Sequence, residues 1–179
     1  MREERTRSSR DVQAIARDLS SENHPDNPLV EQLARQVANA FVLFSNYKQY
    51  HWQAYGPLFR DLHKVFDTFA HEVLASLDNL AERMRMIGQD PPSRLVRIME
   101  LASVTSSTPP DATMREMIEE ADRNALIVIK EIREAARVAD DRDDPGTVDL
   151  MSKLVQVHEK HEWWLRDILR KADGLVAVT

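Results

Sequence analysis

The stretch PLFRDLHKVFDTFAHEVLASLDNLAERMRMIG, residues 57–88, opens on a proline, closes on a glycine and holds no helix breaker between them. A run this long is far beyond a strand and predicts one continuous helix, stopped by Gly88. Along it lie His63, Asp67, His71, Asp78 and Glu82, at offsets of 0, 4, 8, 15 and 19. At about 100° per residue, the last four point to roughly 40°, 80°, 60° and 100° around the axis from His63. Five ionisable groups thus share one narrow face. Imidazole and carboxylate form a ligand set for a divalent metal of intermediate hardness. The same residues also suit an acidic surface stripe with two incidental histidines.

The rest of the chain is punctuated in the same way. Its 4 glycines and 8 prolines all fall in six short gaps: Pro25 and Pro28, Gly56-Pro57, Gly88 with Pro91 and Pro92, Pro109-Pro110, Pro145-Gly146, and Gly174. The runs between them are of helical length, and no segment alternates like a strand. The spacing predicts helix A from Pro28 to Tyr55, with Val30, Leu33, Val37, Phe41 and Phe44 on one stripe. Helix B follows Pro57 and ends near Ile87. A short helix, SRLVRIMEL, sits in the long connection of residues 93–107. Helix C runs from Asp111, as N-cap, to Val138, with Met114, Met117, Ile118, Ala121, Ala125, Val128, Ile132 and Ala135 inward. Helix D runs from Thr147 to about Ala172, with Leu150, Leu154, Val157, Trp164, Leu165 and Ile168 inward. The fold class is all-α: a four-helix bundle with one long crossover, between helices B and C, that holds a short helix. Residues 1–27 form a flexible N-terminal tail, 28–173 the bundle, and 174–179 a short C-terminal tail.

The chain has 179 residues, room for one domain with a sizeable core. With 24 basic and 30 acidic side chains the net charge is −6, a poor balance for holding polyanions. There is no cysteine, which excludes disulfides, thiolate zinc sites and cysteine nucleophiles. No apolar run exceeds five residues, and MREERTRSSRD has no hydrophobic secretion core, so a cytoplasmic protein without a membrane span is expected.

If helix B packs antiparallel against a copy of itself across a two-fold axis, position n faces position 145 − n for one choice of centre. His63 then faces Glu82 and Asp67 faces Asp78, since both pairs sum to 145. One isologous interface would build two identical sites, each with ligands from both chains. His51, beyond Val37, Phe41, Phe44 and Lys48, can be folded back beside His63 by the Gly56-Pro57 turn.

The run His51-Trp52-Gln53-Ala54-Tyr55-Gly56-Pro57-Leu58-Phe59, followed by Leu62-His63, Phe66-Asp67, Asp78, Ala81-Glu82-Arg83 and Ile87-Gly88, resembles the Dps proteins, the bacterial miniferritins. The resemblance spans residues 28–172. It implies a ferritin-like bundle assembled into a hollow homo-dodecamer. It also implies ferroxidase centres at dimer interfaces, which oxidise Fe(II) with hydrogen peroxide or dioxygen, and a shell that stores Fe(III) mineral and protects against oxidative stress. By match, His51, His63 and Asp67 are ligands from one chain, and Asp78 and Glu82 from its neighbour. Trp52 lies beside that centre in the family. Glu-x-x-His, the intra-bundle di-iron motif, is absent.

His71 and His158 go beyond the five-ligand pattern. Either would add nitrogen donors and make zinc a competitor for iron; the bland alternative is a packed histidine with satisfied nitrogens. His161 shares the side of helix D that carries His158. Asp140, Asp141, Asp143, Asp144 and Asp149 surround Arg142 at the start of helix D. They suit either a solvated turn or, by the resemblance, a three-fold pore that gathers cations. Some relatives bind DNA through a lysine-rich tail. Residues 1–27 here hold five arginines, six acids and no lysine. Weak or absent DNA binding follows. The alternative function is a nucleoid-binding structural protein with a secondary metal site; the complete ligand set and the tail charge favour the ferroxidase.

Overall fold

In a computed structural model, residues 27–170 are described. The tails expected at 1–27 and 174–179 lie outside the described residues, Asn27 excepted, while helix D ends at Ile168 with Leu169 as its C-cap, short of the expected Ala172. Five helices follow one another: α1 Pro28–Gln53, α2 Phe59–Met86, α3 Leu95–Leu101, α4 Met114–Asp140 and α5 Pro145–Ile168. No strand occurs among the described residues.

Each start has a local cause. The Asn27 side chain accepts from the Leu29 amide, with Pro28 in the first turn. α4 begins at Met114, not Asp111, because Thr113 and Glu116 form a reciprocal capping box. α5 begins at Pro145, two residues before the expected Thr147, because Asp144 caps the Thr147 amide and Pro145 takes a first-turn position. At the far end of α2, Gly88 has φ +82° and its amide donates to the Arg85 carbonyl, ending the helix.

The four long helices pack as expected for the bundle. α1 lies against α2 and α4, and α5 against α4 and α2. Side-chain bonds fix the directions. Gln36 and Asn39 of α1 meet Glu131 of α4, while Tyr50 meets Glu120, so the two run antiparallel. The crossover runs lengthwise along them. Ser103 binds Asn39, the Thr105 carbonyl accepts from Asn46, and that of Thr108 from Gln49.

Glu120 is the anchor of this connection. It is buried, and accepts from the Tyr50 hydroxyl at 2.6 Å, the Ser107 amide at 2.7 Å and the Ser107 hydroxyl at 2.6 Å, and also from Thr105 and Thr108. Burial alone would raise its carboxyl. The donors, Ser107 and Thr108 foremost, hold it down at about 2.

The core stripe of α1 differs from the expected one. Leu29, Leu33, Ala40, Leu43, Tyr47 and Tyr50 are buried, whereas Phe41 and Phe44 are only half-buried. α1 is apolar on two faces, and the second, with Val37 and Phe41, borders an open groove beside α2. α5 likewise puts polar His158 and His161 on its core stripe, between Leu154 and Leu165.

Candidate metal centre

The turn after α1 brings His51 back over α2. Gly56, at φ +84°, makes the reversal in the left-handed region where a side chain is strained. His51 and His63 stack with centroids 3.6 Å apart. Their backbones and rings interlock: His51 Nδ1 lies 2.7 Å from the His63 carbonyl, and His63 Nδ1 lies 2.8 Å from the His51 carbonyl. A carbonyl only accepts, so each Nδ1 carries a proton, and in the neutral ring the lone pair is on Nε2. His71 is arranged alike, its Nδ1 2.7 Å from the Asp67 carbonyl one turn back. Three imidazoles thus share one arrangement, Nδ1 on a backbone carbonyl, which fixes the ring and is the second contact a metal-ligating histidine uses.

Asp67 lies among them. Its Oδ1 is 4.0 Å from His51 Nδ1, 3.8 Å from His71 Nδ1 and 2.9 Å from Lys48 Nζ. The hydrogen bond from Lys48, chiefly, holds the Asp67 carboxyl below its ordinary value. Lys48 also sits 5.8 Å from the centroid of Trp52, itself 72% exposed. Neither the Lys48–Asp67 pair nor the ring-to-carbonyl exchange was anticipated. Lys48 stands one turn before His51, and that spacing was the available signal.

Asp78 and Glu82 are exposed and are not brought to this group within the chain. At 1.5 Å per residue they lie about 22 and 28 Å along α2 from His63. Among the described residues, no three His, Cys, Asp or Glu side chains converge on one point that could hold a metal. Between the two halves of the ligand face runs the groove, lined by Val37, Phe41, His71, Leu74, Leu77 and Asp78, with Leu74 44% exposed.

His158 is placed elsewhere. It is buried inside the bundle beside His161, while the side chain of His71 is 72% exposed on the outer face of α2. The structure does not bring His71 and His158 together. In the acidic turn, Asp144 is tied to Arg83 at 2.5 Å and caps α5, and Asp149 pairs with Lys153 at 2.7 Å. Asp140, Asp141 and Asp143 remain exposed.

Residues 30–175 match the ferritin-like domain family, which sets the class of protein this bundle defines. The structure superposes on that of Dps from Thermosynechococcus elongatus with a TM-score of 0.81 and 41% identity, covering 91% of this chain and 99% of that one. The DNA protection during starvation protein of Brevibacillus brevis is 34% identical over 137 residues, 76% of this chain and 91% of its own length. A Dps structure from Listeria innocua, soaked with zinc, matches at 30% identity and a TM-score of 0.75, over 79% of this chain and 95% of that one. The chain belongs to the Dps family of miniferritins, ferritin-like proteins of iron storage and stress protection. No helix among the described residues is long and apolar enough to cross a membrane.

Proposed function

We propose that the protein is a ferroxidase that oxidises Fe(II) at centres shared between two subunits and stores the Fe(III) in a shell of identical chains, a dodecamer as in the family. The observation that supports this most is the grouping of His51, His63 and His71, each with Nδ1 on a backbone carbonyl, around Asp67, with Asp78 and Glu82 out of reach on the same helix face. A second copy packed antiparallel along the Leu74 groove supplies the missing carboxylates and covers the apolar surface. His51, His63 and Asp67 of one chain then face Asp78 and Glu82 of the other, with His71 at the margin.

Iron is the substrate. Carboxylate oxygens favour Fe(III) over Fe(II) and so favour loss of the electron, while the imidazoles retain Fe(II) until the oxidant arrives. Two ferrous ions each give one electron to one hydrogen peroxide, which takes up two protons and leaves as two waters, so no hydroxyl radical is released. Dioxygen is the alternative oxidant. Exposed Asp140, Asp141 and Asp143, repeated around a three-fold axis, would gather Fe(II). Removal of iron and peroxide protects nucleic acid without contact, in keeping with a net charge of −6 and a tail without lysine. A cytoplasmic setting fits this role.

The test is the double variant His63→Ala/Asp67→Ala. Both side chains lie on the ligand face and outside the core, so the shell should still assemble while rapid Fe(II) oxidation is lost. Oxidation at the wild-type rate by an assembled double variant would place the centre elsewhere.

A further inference from the structure

α5 presents His158 and His161 one turn apart, both inside the bundle, 4% and 0% exposed. Glu72 Oε2 lies 2.6 Å from His161 Nε2. A carboxylate accepts, so the ring proton sits on Nε2 and His161 Nδ1 holds a bare lone pair. That Nδ1 is buried without a partner, and so are His158 Nδ1 and the hydroxyl of Tyr47. The three belong to one cluster: the His161 ring is 5.6 Å from that of His158 and 5.9 Å from that of Tyr47, with Phe69 stacked on it at 3.8 Å. Native interiors rarely leave such groups unsatisfied, because each loses its hydration without a replacement partner.

The geometry points to an internal site for a divalent transition metal of the zinc type, held by His158 and His161 within one subunit and separate from the subunit interface. Three features favour a metal there. The i, i+3 spacing is the one by which bundle helices aim a pair of ligands inward, here two imidazoles instead of the carboxylate and imidazole of Glu-x-x-His. Glu72 stands behind His161 as the carboxylate that orients a metal-binding ring and raises its basicity. With metal–nitrogen bonds of about 2.0–2.1 Å, two rings sharing one tetrahedral ion have centroids roughly 5 Å apart, close to the observed 5.6 Å. Burial also keeps both rings neutral, pushing His158 down to about 3 and His161 to about 4. Nitrogen donors select zinc-like ions over magnesium or calcium. Water would complete the coordination. Glu72 is 30% exposed, and its second oxygen pairs with Lys160.

The test uses full-length assembled protein carrying His63→Ala/Asp67→Ala, which silences the interface centre. The protein is stripped with chelator and exposed to zinc chloride. About one zinc per subunit should remain bound, an anomalous peak at the zinc edge should stand between His158 and His161, and added zinc should raise Tm. Adding His158→Leu should abolish the peak and the Tm shift. The crystallographic reading needs no change in the core, so misfolding of that last variant cannot obscure it. A map with a water, or no density, between the two rings at saturating zinc overturns the inference. It does so whatever the iron oxidation rate of the wild type.

Discussion

Lys48 Nζ lies 2.9 Å from Asp67 Oδ1, in the position a cation bound at this carboxylate would contest. The lysine holds the site's charge in balance without metal, and the Trp52 face gives it somewhere to go when a metal arrives. Lys48→Met keeps most of the stem and removes the competitor. A partly exposed, solvent-screened ion pair competes only weakly, so zinc or Fe(II) affinity should rise by up to about five-fold. The Asp67 carboxyl should also move up towards its ordinary value, so that metal binding begins at higher pH than in wild type. Calorimetric titrations with zinc at two pH values measure both. Unchanged affinity would mean that Lys48 does not compete.

His71 is expected to add a nitrogen donor at the edge of the interface centre. Its Nδ1 is committed to the Asp67 carbonyl at 2.7 Å, and its exposed ring presents Nε2 to whatever covers the groove. Zinc should therefore inhibit Fe(II) oxidation, and His71→Ala should need several-fold more zinc for the same inhibition. His158→Leu, altered inside the bundle, should be inhibited like wild type. Equal inhibition of all three proteins would leave His71 as a packing residue of the interface.

DNA should bind weakly. The chain is acidic overall, and residues 1–27 hold five arginines against six acids, so few counterions are released on contact with a duplex. In gel shifts at ~150 mM salt, little or no complex is expected. Tight saturable binding at that salt would support the nucleoid-binding alternative.

The helices were legible because their breakers are few and their apolar positions recur every three to four residues. Gly56 and Gly88 sit at the ends of α1 and α2 with positive φ, as their places between long runs implied. The ligand face of α2 was legible for a related reason: a helix keeps fixed angles between residues, so five offsets define one face. What a single helix cannot encode is its neighbour. Phe41 and Phe44 read as core because periodicity marks an apolar face without saying what covers it. Nothing in the sequence pattern of α4 marks Glu120. Its role depends on loop residues 105–108 folding across it, a relation that helical periodicity does not carry. The Glu72 contact with His161 spans 89 residues and was hidden for the same reason.

Glu120 links the crossover to α1 and α4, and its charge is part of the fold. The Tyr50 hydroxyl, the Ser107 amide and hydroxyl, and the donors of Thr105 and Thr108 all point at one carboxylate. Its folded value, about 2, lies below the ordinary 4.5. Protons therefore bind the unfolded chain more readily than the folded one. The stabilisation it gives is complete above pH 4.5 and is lost as pH falls from there towards 2. Glu120→Gln keeps the shape but places an amide NH2 group among donors, leaving several of them without an acceptor. Loss of roughly 1–3 kcal/mol at neutral pH is expected, with Ser107 and Thr108 exchanging their amide protons faster. Because the variant has no charge to lose, its stability should fall less steeply than that of wild type between pH 4.5 and 2. Chemical denaturation at pH 7 and at pH 3.5, with hydrogen exchange of the crossover, checks both parts. A variant equal to wild type in stability and pH slope would show that Asn39, Asn46 and Gln49 hold the crossover without help from Glu120.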